Sequence, residues 1–256
     1  MSAALRVTGL WRYPVKSMAG EPLSTVSVGP AGVLGDRVLA LALADTGRIL
    51  TARQEPALLW AGARWLGEEV EITLPTGRAV RSTDPGADGV LSAWLGRAVR
   101  LEGPGDRPRT VPPSLDDPGS TEWQLAPGAL ADEAPLHLLD QRSLEKARRW
   151  HPAGDWDVRR FRPNVLLAGP LGAPPVGRRL ALGGALVAVT GPCRRCVMVT
   201  RPQPGLPADR DVLRAVVRQA GTELGTYAAP VQPGEVRLGD RVDTLPDLAA
   251  EGVGSR

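Results

Sequence analysis

Glycine and proline together fill more than a fifth of this 256-residue chain, with 30 Gly and 25 Pro, and this constrains its fold more than any other feature. Proline removes a backbone donor and clashes with the preceding helical turn, while glycine weakens element interiors but permits tight turns. A chain punctuated this often favours many short strands and turns over long helices. The hydrophobic share of 43% and the charged share of 23% are those of an ordinary globular protein. Its length suits one large domain or two intimate ones.

Residues 5–14 read as a strand that Pro14 terminates, and residues 23–28 alternate weakly. Residues 32–37 form a turn that delivers Asp36 and Arg37 to a very apolar strand at 38–43. Asp45-Thr46-Gly47 then turns into 48–51. A further pair fits 61–65 and 70–74, with a turn into 78–81. One helical turn at 91–95 precedes a strand at 98–101. The first hundred residues therefore read as a β-meander or small barrel. From 103 to 119 the composition shifts to Pro, Gly, Asp and Arg, which marks a mobile loop or a boundary. Beyond it, strands are expected at 135–139, 165–167, 180–182, 186–190, 197–200 and 236–242. Asp140 can cap a helix at 143–150, and 211–220 carries Val212, Leu213, Val216 and Val217 at helical spacing. Residues 246–256 read as a frayed tail.

Thirty-one basic residues against 28 acidic ones leave a net charge of only +3. No Lys/Arg run with interleaved aromatics appears, which argues against nucleic acid as a partner. No stretch of about 18 apolar residues occurs, and residues 1–9 hold no apolar core of signal-peptide length. The expectation is a soluble, cytoplasmic protein without a membrane partner.

Both cysteines lie in Gly191-Pro192-Cys193-Arg194-Arg195-Cys196-Val197-Met198-Val199-Thr200. Two cysteines make no disulfide framework. Cationic neighbours favour a thiolate, so at least one sulfur is expected to react or to ligate. Four readings stand. A structural zinc site would need His137 and His151 as further ligands. A thioredoxin-like pair would need its first cysteine at a helix N-terminus, whereas a strand signal follows here. Two buried cysteines without a role would leave the intervening arginines unexplained. A single thiolate on a soft transition metal is the fourth. Arg53 and Glu55 read as a pair bracing a turn, Asp36 as orienting Arg37, and Phe161 as a packing residue beneath Arg162.

Six blocks in this order resemble the MOSC-domain family, in its members with an N-terminal MOSC β-barrel, similar to the mitochondrial amidoxime-reducing component and its bacterial relatives. They are Trp11-x-Tyr13-Pro14-Val15-Lys16-Ser17, Gly35-Asp36-Arg37, Thr51-Ala52-Arg53-Gln54-Glu55-Pro56, Arg160-Phe161-Arg162-Pro163-Asn164, Pro192-Cys193-x-x-Cys196, and Gly225-x-Tyr227 before Gly239-Asp240. The resemblance spans nearly the whole chain. It implies a mainly β fold with a few helices. An N-terminal β-barrel-like domain would occupy residues 1–115, a MOSC β-barrel domain residues 116–248, and a tail 249–256.

The resemblance further implies a molybdenum cofactor, Mo-molybdopterin, whose metal is held by a pterin dithiolene carrying a terminal phosphate. Cys196 would be the protein's thiolate on the metal. Lys16, Ser17 and Arg37 would hold the phosphate end, and Arg162 and Asn164 would meet the pterin and the metal region. Glu133, Ala134, Arg194 and Arg195 would add contacts, and Tyr227 would line the pocket. Asn164 or a water would manage protons. A phosphate suits arginine forks and a lysine point charge. The implied activity is reduction of N-hydroxylated compounds (amidoximes, hydroxylamines, N-hydroxylated bases). The alternative is a molybdenum-cofactor or sulfur carrier without turnover. Electrons would come from a separate ferredoxin-like or small haem protein, with Arg107, Arg109, Arg194 and Arg195 suggesting an acidic one. Asp140 stands where relatives often have Ser and Leu224 where Phe is common, and neither change removes a ligand.

Overall fold

A computed structural model describes residues 4–114, 119–169 and 174–246. The expected tail at 249–256 and the junction at 115/116 lie outside the described residues.

The chain is mainly β, with three α-helices among the described residues. Its largest element is a curled eight-stranded sheet, half of a barrel. Across that sheet the strands are Val242–Leu245, Arg179–Leu182, Ala185–Arg194, Glu223–Gln232, Leu136–Asp140, Val165–Ala168, Arg6–Arg12 and Glu21–Pro22. Within this sheet, among the described residues, Leu136–Asp140 and Val165–Ala168 form the one parallel pair. A parallel pair needs a crossover, and α2 (Gln141–Trp150) lies in the connection between them. Asp140 starts that helix as expected, accepting from the Ser143 N–H at 2.9 Å.

The strand Arg6–Arg12 pairs with Val165–Ala168, and Thr25–Gly29 pairs with Gly234–Arg237. Val7, Leu10, Val26 and Val28 thus share one core with Leu136, Leu138, Val187 and Val236. A second core gathers Val15, Met18, Leu41, Leu50, Leu58, Ile72 and Leu91 from the N-terminal part. It is wrapped by two three-stranded sheets, one of Ala40–Leu43, Ile49–Leu50 and Val99–Glu102, the other of Gly62–Trp65, Val70–Thr73 and Ala79–Arg81. A third core joins α2 and α3 (Arg210–Ala220) to the sheet through Leu144, Ala147, Val212 and Val216. The two parts are interlocked because the first thirty residues supply strands to the larger sheet. No helix among the described residues is long and apolar enough to cross a membrane.

Several local expectations give way to tertiary packing. Residues 197–200 form a 3-10 turn rather than a strand. Their β-branched side chains favour a strand locally, but Val199 is buried in the helical core and Met198 packs on the N-terminal core. The helical turn at 91–95 is a nine-residue helix, α1 (Ala87–Leu95), anchored by Leu91 and closed by left-handed Gly96. The segment 103–119 contributes a strand, Arg109–Val111, paired with Trp123–Leu125. Glu223–Gln232 carries no strand signal, since Gly225 and Pro230 interrupt it, yet it pairs on both sides in the sheet interior. The strand expected at 236–242 divides into Gly234–Arg237 and Val242–Leu245.

Candidate functional site

The segment that leaves Arg6–Arg12 carries the first site residues. Tyr13 is buried, and its hydroxyl donates to the Pro163 carbonyl at 3.1 Å. Its backbone N–H donates to Asp36 Oδ1 at 2.7 Å, while Asp36 Oδ2 pairs with Arg37. Asp36 therefore orients Arg37, as its place in the sequence suggested. Gly35 makes that turn with φ +82, its Cα against the Trp65 ring where a side chain would collide. Arg37 and Arg162 both lie over the Tyr13 ring, at 4.6 and 4.3 Å from its centre. Burial pushes the Tyr13 phenol up to about 12, so it stays protonated.

Lys16 is almost fully buried, with its ammonium 2.7 Å from the Leu130 carbonyl and 2.6 Å from Asp132. Burial lowers the Lys16 ammonium, and Asp132 opposes that shift. Burial works against the Asp132 charge too, but Lys16 and Arg53 outweigh it and hold the carboxyl at about 2. Arg53 does not pair with Glu55, which faces Arg97 at 3.7 Å. Its guanidinium lies 4.0 Å over the Trp123 ring and places Nε 3.3 Å from Cys196 Sγ.

Cys196 starts the 3-10 turn and is part-exposed, whereas Cys193 is buried at the end of Ala185–Arg194; both are free thiols. Burial pushes the Cys193 thiol up, against the opposing influence of Arg195 and Tyr227. Between the two cysteines Arg195 donates to the carbonyls of Leu224 (2.6 Å) and Phe161 (2.9 Å) and sits 2.5 Å from His137 Nε2. Burial, with Arg195 beside it, holds the His137 imidazole well below its usual range. Neutral His137 can thus accept from Arg195, and it is a satisfied buried histidine. Gly225 makes this contact possible. Its φ is +97, and a Cβ there would come within 2.4 Å of His137 Nε2.

Asn164 is 1% exposed and braces three segments. Its Oδ1 accepts from the His137 N–H at 3.1 Å and Arg37 at 3.4 Å, and its amide nitrogen donates to the Trp11 carbonyl at 3.4 Å. That geometry corrects the expectation that Asn164 manages protons: both ends of its non-titrating amide are already engaged. Arg195 likewise spends its donors on the protein, fixing the cysteine turn.

These segments enclose one open cleft with a cavity volume of about 130 Å³. Lys16, Ser17 and Arg37 line it from the N-terminal part, and Glu133, Ala134, Arg162, Asn164, Arg194, Arg195, Cys196 and Tyr227 from the rest. Every residue singled out from the sequence as a site candidate is there. Arg107 and Arg109 are not among its lining residues; Arg109 pairs with Glu102 instead. Arg53 and Asp132 also face the cleft and were missed as site residues. The Thr-Ala-Arg block was visible, but no spacing in the sequence tells whether Arg53 reaches Glu55 or a sulfur 143 residues away.

Two features fit an anionic guest. The lining carries seven cations (Lys16, Arg37, Arg53, Arg160, Arg162, Arg194, Arg195) against two carboxylates, Asp132 and Glu133. Such an excess is costly in a half-closed site without an anion to face it. Among the described residues four non-glycines have positive φ, and three of them, Ser17, Arg37 and Arg162, line the cleft. Strain of this kind is stored where surrounding structure forces it, commonly at binding sites. No group of three His, Cys, Asp or Glu able to hold a metal occurs among the described residues. A metal at Cys196 would therefore bring its remaining ligands with it, and one thiolate beside a cationic wall suits a soft metal held by an anionic dithiolene.

Comparison with known proteins agrees with this architecture. The family model described as the MOSC domain matches residues 127–243, and the MOSC N-terminal beta barrel domain matches residues 4–89. The chain is 26% identical to mitochondrial amidoxime-reducing component 1 of Homo sapiens, over 93% of this chain and 82% of that protein. It is also 26% identical to molybdenum cofactor sulfurase of Danio rerio, over 87% of this chain but 32% of that protein. The solved structure of the YUAD protein from Bacillus subtilis shares the fold, with a TM-score of 0.52 at 13% identity, over 95% and 97% of the two chains.

Proposed function

The chain belongs to the MOSC-domain family, in the form with an N-terminal MOSC barrel, and on that premise we propose that it is a molybdenum-cofactor-dependent oxidoreductase reducing N-hydroxylated compounds. The observation that carries this reading is the meeting, in one cleft, of the part-exposed Cys196 sulfur and a wall of cations contributed by both parts of the chain. The similarity to proteins named amidoxime-reducing component supports the substrate class.

When bound, the cofactor supplies two-electron chemistry at an N–O bond. The chain's own residues do the holding. Lys16, Arg37 and Arg162 face the anionic end, with Ser17 in the same wall. Arg53 and the turn braced by Arg195 and His137 fix Cys196, which offers its sulfur to the metal. Buried Asn164 and Tyr13 lock the two cation-bearing loops together. No side chain has to act as a nucleophile.

Charge-assisted contacts to a phosphate contribute roughly 1.5–3 kcal/mol each. Alanine at Lys16, Arg37 or Arg162 is therefore expected to weaken cofactor retention about tenfold or more. Molybdenum per chain after gel filtration reads this directly. Full occupancy in all three variants would make these residues ordinary structural cations and remove the support for the reading.

A further inference from the structure

Resting on the reductase reading, we propose that the exposed faces of α2 and α3 are the docking surface for an acidic single-electron carrier. Reducing one N–O bond consumes two electrons and two protons and releases water, so two reduced carriers must visit per turnover.

The two helices concentrate the chain's positive charge. Arg142, Lys146, Arg148 and Arg149 on α2, and Arg210, Arg214 and Arg218 on α3, are all exposed. Against them stand only Glu145 and Asp211 within the helices. That surplus of five exceeds the +3 of the whole chain, so everything else, the cationic cleft included, is net acidic. Among the described residues only Arg214 of the seven is ion-paired, with Asp211 at 2.9 Å. The helices pack on each other, and the His151–Asp209 pair at 3.0 Å ties the end of α2 to the start of α3. Their outer faces therefore present one field.

Position gives the surface its use. α3 packs directly on the 3-10 turn that begins at Cys196, with Val199 of the turn buried among Val212 and Val216 of the helix. A carrier seated on α3 is separated from that turn by little more than one helix, about 10–12 Å across. Clustered unpaired charge of one sign steers an oppositely charged partner and is suited to brief, repeated encounters. An anionic bilayer fits less well, because an interfacial helix needs an apolar face to insert and these helices expose only Val217 as a large hydrophobic. Nucleic acid would be expected to find aromatic stacking partners among the cations, and Trp150, part-buried beside Lys146, is the only aromatic on either helix.

The test compares the holoprotein with two charge-reversed variants, Arg142→Glu/Lys146→Glu/Arg149→Glu and Arg214→Glu/Arg218→Glu. Turnover of an amidoxime is driven either by reduced methyl viologen or by a reduced acidic [2Fe–2S] ferredoxin. The expected result is a tenfold or greater loss of ferredoxin-driven kcat/KM in each variant, with viologen-driven rates unchanged. Wild-type ferredoxin turnover falls steeply between 0.05 and 0.5 M salt and the variants' does not, as the Debye length shrinks from about 10 Å at 0.1 M to 3 Å at 1 M. Calorimetry provides a readout independent of turnover: oxidised ferredoxin binds the wild type at low salt and not the variants. Ferredoxin turnover or binding that survives charge reversal overturns the proposal. So does a wild type that works with viologen but not with ferredoxin. Binding of duplex DNA or phosphatidylserine vesicles that is lost in the variants while ferredoxin binding persists assigns the surface to another partner. No turnover with viologen rejects the reductase reading itself and leaves the calorimetry to judge the surface.

Discussion

A Cys196→Ser variant is expected to lose its molybdenum and all measurable turnover, while Cys193→Ser keeps most of both. The two thiols are three residues apart but stand in different surroundings. Cys196 opens the 3-10 turn, is part-exposed in the cleft, and has the Arg53 guanidinium 3.3 Å from its sulfur. Cys193 is buried within the strand Ala185–Arg194, and burial keeps it a protonated thiol. A metal ligand must be the thiolate. Metal analysis and viologen-driven turnover of both variants decide the matter, and equal loss in the two would contradict the assignment of Cys196.

Arg160→Ala is expected to lower folding stability by about 2–5 kcal/mol, the cost of leaving buried carbonyls unsatisfied and opening a cavity. The side chain is 1% exposed and makes no ion pair among the described residues. Its donors instead reach the carbonyls of Asp155 (2.7 Å), Val199 (3.3 Å), Arg201 (3.3 Å) and Pro207 (2.7 Å). One guanidinium thus ties the loop before Phe161 to the segment that follows Cys196. Removing it leaves four carbonyls to be satisfied by other means and opens a cavity. Arg160→Lys recovers only part of the loss, since an ammonium cannot span the fork. Urea denaturation of the three proteins measures this, and an Arg160→Ala change below about 1 kcal/mol would refute the structural role.

The β-rich architecture was legible because Gly and Pro leave few windows long enough for a helix, and because α2 and α3 carry caps and helical spacing. The site was legible block by block. Lys16, Arg37, Arg162, Asn164 and Cys196 sit in short dense motifs, and the fold brings them to one cleft. What the chain order hid was non-local. The 3-10 turn after Cys196 owes its shape to two cores built from distant segments. The strand Glu223–Gln232 is held by neighbours on both sides rather than by its own propensity. Arg53 finds its sulfur only across the junction of the two parts, and Asp132 finds Lys16 in the same way. The duties of Asn164 and Arg195 were also hidden, because a residue type that suits a cofactor equally suits the bracing of loops.

The most direct test of the account is reduction of an amidoxime by the molybdenum-loaded protein with reduced methyl viologen as the sole donor. The account predicts conversion to the amidine, with two viologens oxidised per product and a rate proportional to molybdenum content. A protein that carries molybdenum stoichiometrically yet forms no amidine would contradict it and mark the chain as a cofactor carrier.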